Sequence, residues 1–130
     1  MTGFEKKDAV DLFVKQNSLI SGLWGIYIAA TFTAAAFLVT KISLSPYSLF
    51  AVTAGFWAFA IGHLVLIRQA LSVNIKIKES LLATMHSDDS PHAEVVSHLA
   101  NTANHPRIST AIHLFIDMCV TVLIWRSRLF

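Results

Sequence analysis

The sequence predicts an all-α integral membrane protein with three transmembrane helices and a small cytoplasmic helical hairpin. The 130 residues are 55% hydrophobic and only 14% charged, which is too little charged surface for a soluble domain. The mean hydropathy is +0.60. Three apolar runs each have about the 20 residues that a helix needs to cross a bilayer. Between the second and third runs, apolar residues continue to recur at helical spacing.

The first part of the chain combines an amphipathic segment with an apolar span. Residues 1–18 carry apolar and charged residues on opposite helical faces and are interpreted as a juxtamembrane helix. Residues 19–39 are the first predicted transmembrane helix, in which Trp24 and Tyr27 fit the aromatic belt at the membrane surface. Small residues recur at every fourth position, a pattern that lets another helix backbone approach closely. These residues are Ser21, Gly25, Ala29 and Thr33.

The second transmembrane helix is predicted over residues 47–67, directly after Pro46. Proline favours the first turn of a helix because its missing N–H is not needed there. Ala58 and Gly62 form a second small-residue spacing, for which we also expect close helix packing.

Residues 68–107 are interpreted as the cytoplasmic helical hairpin. Its first arm is an extension of the second span by about 15 residues, because the helical periodicity continues. The alternation at 73–77 also permits a short strand. The second arm is a short helix over 91–101, which follows a serine and proline typical of an N-cap and first turn.

The third span, residues 108–126, carries a polar stripe in an otherwise apolar helix. Helical spacing places the stripe on one face, and it consists of Thr110, His113, Asp117 and Thr121. A charged carboxylate at the bilayer centre costs roughly 2.5 to 3.5 kcal/mol on insertion scales, so Asp117 is not expected to face lipid. In an antiparallel hairpin of the second and third spans, His63 would lie at the depth of His113.

Several arrangements would satisfy this stripe. In the first, His63 and His113 hydrogen-bond across helices, and Asp117 bonds to a threonine or stays protonated. In the second, copies of the third span surround an axis and the stripe lines an ion pathway. In the third, His63 and His113 ligate a haem b. Proton-coupled transport is a fourth. Asp117 lies one turn deeper than His113, beyond easy reach of His63. This position favours the second arrangement, in which copies of the third span surround an axis.

Basic residues determine the expected orientation. Seven of the ten lysines and arginines lie in the N-terminal segment and in residues 68–107. This bias places both segments in the cytoplasm, and the protein in a bacterial inner membrane. Lys76, Lys78 and Arg107 are candidate contacts for membrane-lipid phosphates or for an anionic activator, either a small molecule or an oligonucleotide.

No motif of enzymatic catalysis is present. The sequence has no phosphate-binding glycine loop, no nucleophile elbow and no zinc-protease motif. The histidines between residues 86 and 105 are spaced six and seven apart, which does not fit a zinc site. We therefore expect no catalytic residues, no metal and no cofactor, with haem b as the alternative.

These observations favour a small homo-oligomeric channel or pore, gated by a ligand at its cytoplasmic part. The layout of a few spans with a small extramembrane part is similar to that of membrane effectors of bacterial antiphage defence, which open when a nucleotide signal binds. The similarity is one of architecture. The alternatives are a non-conducting membrane anchor, a haem- or quinone-binding subunit of a larger complex, and a membrane-tethered module that recruits a cytoplasmic protein partner.

Overall fold

The protein is all-helical over the residues that the computed structural model describes, which are 3–39, 44–85, 94, 97–98, 101 and 105–129. Three long helices make up this part of the chain. They are α1 (Gly3–Val39), α2 (Pro46–Met85) and α3 (Pro106–Leu129).

Each long helix contains a segment that is long and apolar enough to cross a membrane. These segments are Lys7–Ala36, Pro46–Ala83 and Pro106–Arg126. The all-α class and the presence of three such helices are therefore confirmed. The predicted short helix over 91–101 lies mostly outside the described residues.

Helices α1 and α2 are longer than a bilayer core is thick. With 37 and 40 residues, they measure about 55 and 60 Å at 1.5 Å per residue, against about 30 Å of hydrocarbon. The amphipathic segment 1–18 and the span 19–39 belong to one uninterrupted helix from Gly3. Residues 73–77 are helical, so the alternative of a short strand there is wrong.

The three helices pack with α2 antiparallel to both α1 and α3. The Gln16 amide donates to the Ala70 carbonyl at 3.0 Å, whereas the later α1 residue Leu23 is bonded to the earlier α2 residue His63. This reversal of order sets the antiparallel direction. The α2–α3 pair is aligned by the Trp57 indole, which donates to the Thr121 hydroxyl at 3.1 Å.

Two apolar clusters form the core of the bundle. One joins α1 to α2 through Ile20, Ile67, Ala70 and Leu71. The other joins α2 to α3 through Leu49, Phe56, Val120 and Ile124. Along α2, position 63 lies between the two clusters, so the polar residues at that level are enclosed by apolar packing at both ends.

The small residues of α1 and α2 lie on the outside of this bundle. Ser21, Gly25, Ala29 and Thr33, here called the small-residue face, are all exposed. Ala58 and Gly62 are exposed as well. A Cβ added at Gly25 or Gly62 would meet no atom within 4 Å. The described helices of one chain therefore pack through other residues.

A hydrogen-bonded asparagine pair, with Asn74 buried and Asn17 half-buried, connects α1 and α2 near the end where residues 70–85 lie. The Asn74 amide nitrogen donates to the Asn17 side-chain oxygen at 2.9 Å. Asn74 is only 2% exposed, and its side-chain oxygen has no hydrogen-bond partner in the described part of the chain. The pair therefore orients the two helices at the cost of one buried acceptor without a partner.

We predict that Asn17→Ala destabilises the protein, because it leaves the Asn74 amide buried without an acceptor. The expected loss in the free energy of unfolding is about 1–3 kcal/mol. The double variant Asn17→Leu/Asn74→Leu should be close to the wild type, since both polar groups are removed together. Unfolding by sodium dodecyl sulfate in mixed micelles, followed by circular dichroism, measures both. A double variant less stable than Asn17→Ala would contradict this account.

Candidate functional site

A buried polar network lies in the middle of the bundle and includes side chains from all three helices. Its members are Tyr27 of α1, His63 of α2, and His113 and Asp117 of α3. Their exposed fractions are 0%, 5%, 0% and 1%, respectively. Since each helix contributes at least one member, the network requires the helices to keep one rotation and one depth relative to each other.

Both carboxylate oxygens of Asp117 have a partner within the same chain. Oδ1 accepts a hydrogen bond from the Tyr27 hydroxyl at 2.6 Å, and Oδ2 lies 2.8 Å from Nδ1 of His113. His113 and Asp117 are four residues apart, so one turn of α3 brings their side chains together. The Tyr27 hydroxyl also lies 3.1 Å from the His113 carbonyl oxygen. The carboxylate is thus held from α1 and α3 at once.

The network continues from α3 to α2 through the two imidazoles. His113 Nε2 lies 3.3 Å from His63 Nδ1, and His63 Nε2 lies 2.9 Å from the Leu23 carbonyl oxygen on α1. The chain of contacts therefore starts at Tyr27 on α1, passes through α3 and α2, and returns to α1 at Leu23. The equal depth of His63 and His113 agrees with the antiparallel pairing predicted from the sequence.

The partners of the imidazoles determine where their protons lie. The Leu23 carbonyl oxygen can only accept, so a neutral His63 carries its proton on Nε2. Its Nδ1 then accepts from the N–H of His113 Nε2. The other nitrogen of His113 lies 2.8 Å from Asp117 Oδ2. Hydrogen bonds to both oxygens reduce the cost of burying the carboxyl group.

Aromatic packing encloses the same groups. The Tyr27 ring stacks on His113 with ring centroids 3.9 Å apart and on His63 with centroids 5.1 Å apart. Trp24 lies against Tyr27 edge to face at 5.8 Å. These rings cover the hydrogen bonds on the side of α1 and keep their surroundings apolar.

Tyr27 is a member of the network that the sequence pattern does not predict. The sequence predicts that Tyr27 lies in the aromatic belt at the membrane surface, whereas it is fully buried and bonded to Asp117. Tyr27 lies eight residues after Leu19, near the middle of the predicted span. A phenol hydroxyl at that depth needs a hydrogen-bond partner, so the position of Tyr27 in the span indicates a polar contact with another helix.

The threonines of the stripe do not bond to the Asp117 carboxylate. The Thr121 hydroxyl donates to the backbone carbonyl of Asp117 at 2.8 Å and accepts from the Trp57 indole. The Thr110 hydroxyl donates to the Pro106 carbonyl at 2.8 Å. The expectation that a threonine satisfies the carboxylate is therefore corrected, because both hydroxyl groups already donate to backbone carbonyls.

The arrangement does not fit a haem b bound between His63 and His113. Two axial ligands must point at one iron from opposite faces of the porphyrin. Here the two ring nitrogens are hydrogen-bonded to each other at 3.3 Å, and Tyr27 stacks directly on His113. No space remains between the nitrogens for an iron with its macrocycle.

The other candidate residues lie outside the network. Lys76 is exposed and Lys78 is half-buried on the long second helix. Arg107 is exposed at the start of α3 and lines a surface cavity together with Arg68. The anionic activator and the cytoplasmic protein partner stay predictions, since much of the segment expected to bind them lies outside the described residues.

Comparisons with protein-family models, with curated proteins and with solved structures find no match to the chain. In the described ranges, no group of three or more histidine, cysteine, aspartate or glutamate residues is arranged to hold a metal ion. The function must therefore be argued from the polar network and the outer surface of the bundle.

We predict that Tyr27→Phe lowers the free energy of unfolding by about 0.6–1.7 kcal/mol, the range of side-chain hydrogen bonds between membrane helices. The substitution removes the hydroxyl that donates to Asp117 and keeps the ring that stacks on His113. Tyr47→Phe is the matched control, because Tyr47 is 88% exposed and should have no measurable effect.

A double-mutant cycle with Asp117→Leu isolates the contact between the two side chains, because leucine has no acceptor for the Tyr27 hydroxyl. The effect of Tyr27→Phe should be smaller in the Asp117→Leu background, measured by unfolding in mixed micelles. Strictly additive losses would show that the two residues contribute independently and would refute the contact.

Proposed function

We propose that the protein is a non-enzymatic membrane subunit whose polar network holds three helices together as one rigid unit. The observation that carries this proposal is the pairing of both Asp117 oxygens within a single chain. A pore axis is expected when Asp117 has no partner in its own chain. With donors on Tyr27 and His113, the carboxylate no longer requires a neighbouring subunit or a water-filled lumen.

The ends of the network also favour a structural role over a transport pathway. A path for protons or ions needs polar groups that continue toward both membrane surfaces. This network ends at the Leu23 backbone carbonyl on one side and at Tyr27 on the other. None of its four side chains is more than 5% exposed. Such a closed set of hydrogen bonds stabilises one helix arrangement and relays nothing to the surface.

The outer surface of the bundle is suited to self-association. The small-residue face is exposed on α1, and the open space beside Gly25 would let the backbone of another helix approach closely. Helix pairs in membranes use such surfaces, because close backbone contact increases van der Waals packing. We therefore propose a homo-oligomer that assembles through Ser21, Gly25, Ala29 and Thr33.

The proposed location is a bacterial inner membrane with the N-terminus in the cytoplasm. Support comes from the excess of lysine and arginine in the N-terminal segment and in residues 68–107. The hydrogen bond from Gln16 to Ala70 also places the N-terminal part of α1 beside the C-terminal part of α2. In this orientation, the parts of both helices that exceed the bilayer project into the cytoplasm.

A conducting assembly is the second candidate. It is favoured by the hydroxyl groups of Ser21 and Thr33, which are exposed on the same face of α1. Copies arranged around that face would place these hydroxyls toward a common axis. The pore lining would then come from α1 and not from the Asp117 stripe of α3.

We predict that the double variant Gly25→Leu/Ala29→Leu shifts the purified protein from oligomer to monomer, because two leucines keep a second backbone at a distance. Ala51→Leu is the matched control, since Ala51 is also exposed but lies on α2. Light scattering in detergent and cross-linking in vesicles measure the oligomeric state. A wild-type protein that is monomeric in vesicles at every concentration would contradict the assembly proposal.

We predict that vesicles containing the wild-type protein release potassium ions and protons no faster than empty vesicles. The reason is that the polar network reaches neither surface of the bundle. Vesicles with Asp117→Asn provide the comparison and should behave in the same way. Wild-type ion flux that disappears in the Gly25→Leu/Ala29→Leu variant would overturn the structural role and support the second candidate.

A further inference from the structure

A cavity of about 270 Å³ opens on the surface between α2 and α3, away from the polar network. Its lining residues are Arg68, Pro106, Arg107, Thr110 and Ala111. Two arginines from two different helices therefore line one small cavity.

No carboxylate in the described residues of α2 or α3 pairs with the two arginines of this cavity. Among the described residues, neither Arg68 nor Arg107 forms an ion pair, and the ion pair found there joins His113 to Asp117. Asp117 is the one acidic residue of α3, and Glu79 is the one acidic residue of α2. Since Asp117 is bonded within the network, α3 has no carboxylate left to neutralise these arginines.

The backbone amides at the start of α3 are already used. The Arg107 N–H donates to the His105 ring at 3.3 Å, and the next two N–H groups donate to the His105 carbonyl at 3.0 and 3.1 Å. The Thr110 hydroxyl also donates elsewhere. An anion in the cavity would therefore be bound by the guanidinium groups, with an added attraction from the positive end of the helix dipole.

The side chains around the cavity indicate whether the bound anion is a phospholipid headgroup or a free phosphate. Leu114 and Met118 on α3 are 43% and 57% exposed. They follow Thr110 and Ala111 by four and seven residues, respectively, so they lie on the face of α3 that lines the cavity, closer to the middle of the span. The cavity thus lies at the boundary where an apolar surface meets paired positive charges, as a phospholipid requires for its acyl chain and its phosphate.

We propose that Arg68 and Arg107 bind the phosphate of an anionic phospholipid, whose acyl chain lies against Leu114 and Met118. Guanidinium groups recognise phosphate through paired hydrogen bonds to two oxygens. Two arginines on different helices would hold one phosphate between α2 and α3. A free phosphate has the same headgroup chemistry but lacks the apolar contact. This site is independent of the polar network and of the small-residue face.

The test uses the full chain in an uncharged detergent and measures thermal stability during titration with three probes. These are phosphatidylglycerol, zwitterionic phosphatidylcholine and inorganic phosphate. A ligand that binds the native state raises the melting temperature. Arg68→Gln, Arg107→Gln and their combination are compared with Arg126→Gln, since Arg126 is an exposed arginine near the other end of α3. Circular dichroism without lipid checks that each variant keeps its helices.

Phosphatidylglycerol should raise the melting temperature of the wild type and of Arg126→Gln more than phosphatidylcholine does. In the double variant, its half-saturating concentration should increase by at least about tenfold, the loss expected for one charge-assisted hydrogen bond. Inorganic phosphate could also raise the melting temperature of the wild type, with this increase reduced equally by Arg68→Gln and by Arg107→Gln. That result would overturn the lipid as the source of the bound anion. Equal responses of the double variant and the wild type to phosphatidylglycerol would overturn the site itself.

Discussion

The hydrogen bonds to the Asp117 carboxylate set the arrangement of the three helices. One oxygen accepts from Tyr27 on α1, and the other is hydrogen-bonded to His113, which in turn contacts His63 on α2. An unpaired carboxylate would be costly in the apolar interior of the bundle. The helices must therefore keep the rotation and depth at which these partners meet, and the apolar clusters at either end pack around that arrangement.

The same constraint separates the interior of the bundle from its surface. Inside, the ionisable groups of the network are hydrogen-bonded to one another and packed against the rings of Tyr27 and Trp24. Outside, the small-residue face and the cavity at Arg68 and Arg107 remain free of contacts to the network. The interior accounts for the stability of one chain, and the surface is where we propose contacts with other copies and with lipid.

Much of the fold and part of the site followed from spacing along the chain. Three apolar runs indicated three membrane-length helices, and counting from Arg68 and Arg107 placed His63 and His113 at one depth. The hydrogen bond between these histidines was one of the arrangements considered. Tyr27 was not identified as a partner of Asp117, because the two are ninety residues apart. Their contact depends on the rotation of α1 relative to α3. The spacing of residues within either helix contains no information about that rotation.

Local rules were thus sufficient for the helical class, for the apolar spans and for the polar stripe of α3. Whether that stripe faces an axis between subunits or the interior of one chain was decided only by the packed helices. The physical reason is that a helix has the same periodicity in every rotation about its axis. Only contacts with neighbouring helices select one rotation, and here the selected rotation points Asp117 at Tyr27.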